Sequence, residues 1–141
     1  MSRRHGKLLS LGGWSMKRLR ILVVDDCSEL AHAWARVITR WGHEVTVATD
    51  GPTALRAATV AAFDAALLDI DLPGMDGFEI ARALRRLPGY QAIFLIAVTG
   101  RWDEEDRRRA AAVGIQHYLT KPIPARELMV LLQPDAAVVA G

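Results

Sequence analysis

The chain lacks a second cysteine, a long apolar run and any internal repeat. With Cys27 alone among its 141 residues, it cannot form an internal disulfide, which fits a reducing compartment. No apolar run reaches the roughly 18–20 residues that a membrane-spanning helix needs, and the apolar patch at residues 8–11 is too short for a signal peptide. These absences lead us to expect a cytoplasmic protein without a membrane span.

Excess basic charge is also scarce outside the first residues. The chain has 18 Lys and Arg against 16 Asp and Glu, and Arg3, Arg4 and Lys7 account for the surplus. A near-neutral remainder gives no indication of nucleic acid as the main partner. We expect a disordered basic extension over residues 1–16, one domain over residues 17–133 and a tail over residues 134–141.

Apolar runs alternate with helical patterns from residue 20 onward. This alternation predicts an α/β protein in which a parallel sheet carries helices on both of its faces. The predicted strands cover residues 21–24, 44–48, 65–68, 92–98 and 115–119. The predicted helices start at Ser28, at Gly51-Pro52, at Phe78, at Asp103 and at Pro124.

Polar side chains follow four of the predicted strands, at the edge where parallel sheets bind ligands. Asp25 and Asp26 follow the first strand, Asp69 the third, Thr99 the fourth and Lys121 the fifth. Two like charges 4 Å apart cost about 4 kcal/mol at an effective dielectric of 20, so three such carboxylates favour protonation or a hard dication such as Mg²⁺. A carboxylate beside Mg²⁺ and a lysine can attack a phosphoryl group and form an acyl phosphate.

Four motifs extend this pattern. ILVVDD at 21–26, LLDIDLPGMDGFEIARALR at 67–85, AVTG at 97–100 and HYLTKP at 117–122 occur in this order. Together they resemble the receiver domain of two-component response regulators, and the resemblance covers about residues 17–133. It implies a doubly wound, flavodoxin-like fold whose five parallel strands have the order 2-1-3-4-5.

The resemblance also implies the roles of the acidic residues. Asp69 would be the phosphoacceptor. Asp26 would ligate Mg²⁺ directly, and Asp25 would help, through a water molecule. The backbone carbonyl of Asp71, two residues beyond the acceptor, would complete the protein ligands together with Asp69.

Further roles follow from the same resemblance. Thr99 and Tyr118 would form a switch pair, and Lys121 would hold the phosphoryl group. The bond from Lys121 to Pro122 is typically cis in this family. The output surface would comprise the fourth helix, the fifth strand and the fifth helix, with Trp102 as either a groove-filling residue or a partner anchor.

The function that we expect is that of a single-domain response regulator rather than of an enzyme, with slow autodephosphorylation. Its phosphodonor would be a histidine kinase or a phosphotransfer protein, and its output a downstream protein. About 20 residues follow Lys121, too few for a DNA-binding domain. The family often dimerises through its output surface, which leaves a homodimer open.

Two alternatives remain at this point. The Asp69-Ile70-Asp71 sequence is similar to the D-x-D motif of haloacid-dehalogenase-like, Mg²⁺-dependent phosphatases, although that motif belongs near a first strand. The second alternative is a binding module with a receiver fold that never accepts a phosphoryl group. The complete acidic set, Thr99 and Lys121 argue against it.

Smaller features give local expectations. We expect Ser28 to cap the first helix and Asp76 to cap the third. Opposite charge at neighbouring loop positions suggests that Arg101 and Asp71 pair across the site entrance. His43 is expected to be solvated.

Overall fold

A computed structural model describes the backbone of residues 8–11 and 14–133 and the side chains of residues 17–133. Strands and helices alternate along most of this range. The strands are β1 (Leu8–Leu11), β2 (Trp14–Lys17), β3 (Arg20–Val24), β4 (Glu44–Ala48), β5 (Ala65–Asp69), β6 (Phe94–Thr99) and β7 (His117–Thr120). The helices are α1 (Ser28–Arg40), α2 (Gly51–Val60), α3 (Gly77–Arg86), α4 (Glu104–Ala112) and α5 (Ala125–Leu131).

Five of the strands form one parallel sheet in the order β4-β3-β5-β6-β7. Since β3 is the first strand of this sheet along the chain, the order is the expected 2-1-3-4-5, and the predicted doubly wound α/β fold is confirmed. The strand order reverses between β3 and β5. Ligand crevices in such sheets lie at the carboxyl ends of the strands at this reversal.

The two remaining strands pair only with each other. Strands β1 and β2 run antiparallel, with Leu8 opposite Lys17 and Leu11 opposite Trp14. Apart from Lys17, this hairpin lies within residues 1–16, which we expected to be a disordered extension, and nothing in the sequence pattern led us to expect it. Residues 1–7, 12–13 and 134–141 lie outside the described residues, so the boundaries of the extension and of the tail stay predictions.

The sheet has an apolar layer on each face. Successive side chains of a strand point to opposite faces, and in β3 Leu22 and Val24 join one layer while Ile21 and Val23 join the other. Helices α2, α3 and α4 supply the first layer, and α1 and α5 supply the second. Burial on both faces holds the strands rigidly, and their carboxyl ends therefore give firm positions for polar groups.

Part of the apolar surface of α1 faces solvent. Leu30, the first apolar residue of the helix, is 37% exposed. The stripe that contacts the sheet consists of Ala31, Trp34 and Ile38, which follow the i, i+3, i+7 spacing of one helix face.

The structure confirms the predicted helix cap at Asp76 but not the one predicted at Ser28. Asp76 accepts a hydrogen bond from the Glu79 N–H at 2.9 Å, and the Glu79 carboxylate accepts one from the Asp76 N–H, which forms a capping box. The prediction for Ser28 was wrong. It is the first residue of α1, and Cys27 occupies the cap position without a side-chain hydrogen bond.

The prediction that His43 is solvated was also wrong. Its side chain is 3% exposed, and its Nδ1 accepts a hydrogen bond from the Leu19 N–H at 3.1 Å. Burial lowers the pKa of His43 below its ordinary 6.5, and the charge of Arg18 lowers it further, while Asp64 opposes the shift. The folded chain therefore favours the neutral imidazole.

We expect His43 to make the fold less stable in mild acid. Because its pKa is lower in the folded state than in the unfolded state, its contribution is complete above about pH 6.5 and is lost as the pH falls towards the folded pKa. His43→Asn keeps an acceptor for the Leu19 N–H without a proton to gain. Urea unfolding between about pH 7.5 and pH 5 should show a smaller loss of stability for this variant than for the wild type. His32→Asn, at an exposed histidine, is the control, and parallel pH curves for wild type and His43→Asn would refute the prediction.

Candidate functional site

The predicted site residues meet at the carboxyl edge of the sheet. Asp25 and Asp26 directly follow β3, and Asp69 and Thr99 end β5 and β6. One carboxylate oxygen from each of Asp25, Asp26 and Asp69 lies within 4.8 Å of the other two. The Lys121 Nζ lies 3.0 Å from the Asp69 Oδ2. Residues more than 90 positions apart in the chain thus share one pocket.

Asp69 lies at the centre of this pocket and is 2% exposed. Its Oδ1 accepts a hydrogen bond from the Asp71 N–H at 2.9 Å, and its Oδ2 accepts one from Lys121 at 3.0 Å. Two donors, one of them charged, thus hold a nearly buried carboxylate in a single orientation. A carboxylate without such donors would be costly to bury.

Lys121 is positioned by its own backbone as well as by Asp69. Its N–H donates to the Thr99 carbonyl at 2.8 Å, and its bond to Pro122 is cis, as expected. Burial acts to lower the pKa of Lys121, but the hydrogen bond to Asp69 and the charges of Asp69, Asp25 and Asp71 outweigh it and raise the pKa above 10.5. The side chain therefore stays a cation.

Asp25 is the second nearly buried acid, with 7% of its surface exposed. Its Oδ1 accepts a hydrogen bond from the Cys27 N–H at 2.9 Å. Burial raises the pKa of Asp25 above 3.8, and the neighbouring charge of Asp69 adds to the rise, although the Cys27 N–H opposes it. Asp26 is exposed at the rim. Three acids thus share the pocket with the ammonium of Lys121.

We expect Asp25→Asn to stabilise the fold at neutral pH. A carboxyl whose pKa is raised by folding stabilises the folded state fully only below about pH 3.8, and that contribution is lost as the pH rises through the folded pKa. The amide keeps an acceptor for the Cys27 N–H without the charge. Without divalent cations, urea unfolding at pH 7 should show a higher free energy of unfolding for Asp25→Asn than for the wild type. Glu29→Gln, at an exposed acid of α1, should show no gain, and a less stable Asp25→Asn would contradict the prediction.

Thr99 points its hydroxyl at the loop and not at Asp69. The side chain is 2% exposed, and its Oγ1 lies 2.6 Å from the Arg101 carbonyl oxygen and 3.1 Å from the Asp71 Oδ2. The Arg101 N–H donates back to the same Oγ1 at 3.2 Å. A hydroxyl has one proton, so these two acceptors compete for it.

The predicted pair of Arg101 and Asp71 does not form. Among the residues that the structure describes, no ion pair joins them, and the Asp71 carboxylate accepts from Thr99 instead. The physical reason is proximity, because the threonine hydroxyl is closer to Asp71 than the long, exposed arginine side chain. Charge sign alone could not reveal this contact.

Tyr118 lies on the surface of β7 with 41% of its area exposed. Its ring stacks on the indole of Trp102, with ring centroids 4.4 Å apart and planes 7° from parallel. The sequence pattern left the role of Trp102 open between groove filling and partner contact. No local signal indicated the stack, because the two residues belong to different elements.

A known family matches this pocket and the sheet that carries it. The response regulator receiver domain matches residues 21–133, which include every residue of the pocket. The chain belongs to the response regulator receiver domain family. Receiver domains are signalling domains and not classical enzymes, so the haloacid-dehalogenase alternative is set aside.

Curated relatives of this receiver domain are longer proteins. It is 39% identical over 109 residues to the sensory transduction protein RegX3 of Mycobacterium tuberculosis, an overlap of 77% of this chain and 47% of RegX3. It is 39% identical over 122 residues to the cyclic di-GMP phosphodiesterase response regulator RpfG of Xanthomonas campestris, which covers 83% of this chain and 32% of RpfG. The receiver domain therefore spans about half, or less, of these relatives.

Solved structures share the fold of this receiver domain. The chemotaxis protein CheY4 of Vibrio cholerae has a TM-score of 0.77 at 30% identity, over 79% of this chain and 93% of CheY4. The receiver domain of sensor histidine kinase PA1611 from Pseudomonas aeruginosa has a TM-score of 0.75 at 30% identity, over 85% and 98% of the two chains. That structure is described with a magnesium ion coordinated in its active site cleft.

Within the described part of this receiver domain, none of the helices combines the length and the apolarity that crossing a bilayer requires.

Proposed function

We propose that this receiver domain accepts a phosphoryl group on Asp69 from a histidine kinase or a phosphotransfer protein. The observation that carries the proposal is a nearly buried carboxylate 3.0 Å from a lysine ammonium and grouped with two further acids. An Asp69 oxygen attacks the phosphorus of a phosphohistidine, the P–N bond breaks, and the imidazole leaves as the acyl phosphate forms. Hydrolysis by water slowly returns Asp69 to the free carboxylate.

Mg²⁺ fits the donor set of this pocket. Asp25, Asp26 and Asp69 bring three carboxylate oxygens within 4.8 Å of one another, and oxygen ligands are those that Mg²⁺ prefers. We assign these carboxylates and the backbone carbonyl of Asp71 as its protein ligands. When bound, the ion neutralises part of the negative charge that the phosphoryl oxygens add to the acids.

We expect Mg²⁺ to raise the thermal stability of the protein. Binding to the folded state alone stabilises it by RT ln(1 + [L]/Kd), about 2.7 kcal/mol at one hundred times Kd. The rise in Tm should be much smaller in Asp26→Asn, which removes an exposed ligand, and unchanged in the control Glu29→Gln. Sodium chloride at equal ionic strength separates binding from screening. An equal rise in wild type and Asp26→Asn would contradict this ligand assignment.

The switch that we propose starts from the contacts of Thr99. A phosphoryl group adds about −1.5 to −2 charges beside the hydroxyl, which then leaves Asp71 and the Arg101 carbonyl to donate to a phosphoryl oxygen. The space that Thr99 vacates admits the ring of Tyr118. The surface formed by α4, β7 and α5 changes shape, and a downstream protein binds there.

Intact mass tests the proposed chemistry directly. Acetyl phosphate with Mg²⁺ should add one phosphoryl group to the wild type and none to Asp69→Asn. Glu29→Gln is the control, because it removes an exposed carboxylate of α1 and leaves the pocket unchanged. A wild type that stays unmodified, or an Asp69→Asn variant that gains the same mass, would overturn the proposed function.

A further inference from the structure

Trp102 contacts two aromatic rings from different elements of the fold. It is half-buried in the loop of residues 100–103, which joins β6 to α4. It meets the Phe78 ring of α3 with centroids 6.3 Å apart and planes at 39°. It also stacks on the ring of Tyr118, with centroids 4.4 Å apart and planes at 7°.

Phe78 is a fixed support for the indole. Its side chain is 1% exposed within the core. The guanidinium of Arg109 lies 4.4 Å from the centre of its ring and also pairs with Asp76, Nη2 to Oδ2, at 3.0 Å. Of the two aromatic neighbours of Trp102, Phe78 is thus held by the core, and Tyr118 is the one that can leave.

Tyr118 depends on the stack for its outward position. Within the described part of the chain, its side chain makes no hydrogen bond that would hold the phenol in place. Offset or near-parallel aromatic pairs stabilise a conformation beyond the area that they bury. A ring that turns inward towards Thr99 gives up this contact and leaves the indole face exposed.

The loop that carries Trp102 is also tied to Thr99. The Thr99 hydroxyl is 2.6 Å from the Arg101 carbonyl oxygen, and the Arg101 N–H returns a bond at 3.2 Å. Both contacts involve Arg101, the residue directly before Trp102 in the chain. When Thr99 turns towards Asp69, these bonds break, and the loop that presents the indole to Tyr118 loses its anchor.

We infer that Trp102 is a positioning residue, which holds Tyr118 outward in the unphosphorylated protein and thereby sets how rarely the switched conformation forms. The inference rests on the proposed function, since it assumes that Tyr118 turns inward when Asp69 carries a phosphoryl group. Loss of one aromatic stack should raise the population of the switched conformation about two- to tenfold.

If only the switched conformation accepts a phosphoryl group readily, the rate of phosphorylation by acetyl phosphate reports its population without a partner protein. Trp102→Ala should react about two- to tenfold faster than the wild type, and Trp102→Phe, which keeps a ring, should react close to the wild-type rate. In a Tyr118→Ala background, Trp102→Ala should have no effect, because its partner is gone. Trp41→Ala controls for the loss of an indole, since Trp41 lies at the far end of α1.

A second readout follows the Tyr118 ring itself. The chain has two tyrosines, so 3-fluorotyrosine labelling gives two ¹⁹F resonances, and Tyr118→Phe assigns them. A soluble gadolinium chelate should relax the exposed Tyr118 strongly and the buried Tyr90, which is 5% exposed, weakly. Trp102→Ala should increase the share of a weakly relaxed, inward Tyr118 signal about two- to tenfold over the wild type. If Trp102 only filled space, that share would not rise.

The outcomes separate the inference from the function on which it rests. An unmodified wild type overturns the proposed function. A wild type that is phosphorylated, with a Trp102→Ala variant that reacts at the same rate and shows no larger inward share of Tyr118, overturns only the role of Trp102. A rate increase that persists in the Tyr118→Ala background also overturns it, because the effect would not pass through the stack.

Discussion

Replacement of Lys121 by alanine is expected to lower the rate at which Asp69 accepts a phosphoryl group by about 100- to 1000-fold. The Lys121 Nζ lies 3.0 Å from the Asp69 Oδ2, and its raised pKa keeps it charged at neutral pH. The transferred group brings negative charge into a pocket that already holds three carboxylates. A fixed cation at this distance stabilises the charge that develops in the transition state.

Time-resolved intact mass with acetyl phosphate and Mg²⁺ measures this loss. Lys121→Arg keeps the charge but presents it with a different shape, and it should recover only part of the rate. Lys17→Ala, at the end of β2, is the control for removal of a lysine. Circular dichroism establishes that each variant is folded. A Lys121→Ala variant that reacts at the wild-type rate would show that the ammonium has no part in the transfer.

Gly77→Ala is expected to destabilise the fold by about 1–3 kcal/mol or more and to slow phosphorylation of Asp69. A Cβ at position 77 would lie 2.7 Å from the Asp69 carbonyl oxygen and 2.8 Å from the Ile70 Cα. Both are backbone atoms at the end of β5 and cannot move aside as a flexible side chain can. The Gly77 N–H also donates to the Ile70 carbonyl at 3.2 Å, which ties the start of α3 to the site.

Gly100→Ala is the matched control for this substitution. A Cβ at Gly100 meets no atom within 4 Å, although the residue directly follows Thr99. Urea unfolding should therefore show a large loss for Gly77→Ala and a change within about 0.5 kcal/mol for Gly100→Ala. Equal stabilities would mean that the approach of α3 to β5 is not tight.

The fold could be predicted from the sequence because its signals are local and repeated. Strands such as 21–24 and 65–69 are short, apolar and followed at once by polar residues, and helices begin at residues such as Asp76 and Pro52 that favour their first turn. Since parallel strands bring their carboxyl ends to one edge, the same pattern also predicted that Asp25, Asp26, Asp69 and Lys121 would meet.

The remaining features depend on contacts between distant parts of the chain. In the sequence, His43 is a polar residue that follows a helix, and nothing local indicates that it is buried. Its burial is favoured by the hydrogen bond that its Nδ1 accepts from the distant Leu19 N–H. The stack of Tyr118 on Trp102 depends on how the loop of residues 100–103 lies against β7. Spacing along the sequence does not encode such distances.

The partner of Asp71 shows the same limit within the site. Charge sign suggested Arg101, whereas the Thr99 hydroxyl lies 3.1 Å from the Asp71 Oδ2. Both candidates come from the end of β6 and the residues just after it. Side-chain length and direction decide between them, and neither can be read from the residue types alone.

The identity of the modified residue is the most decisive test of the proposed function. Borohydride reduces an aspartyl phosphate to homoserine, which marks the position permanently. The tryptic peptide of residues 57–82 contains the aspartates at positions 64, 69, 71 and 76, so tandem mass spectrometry of this peptide distinguishes them. After treatment with acetyl phosphate and Mg²⁺, the account predicts homoserine at position 69 alone. Homoserine at another position, or an unchanged peptide from fully folded protein, would contradict it.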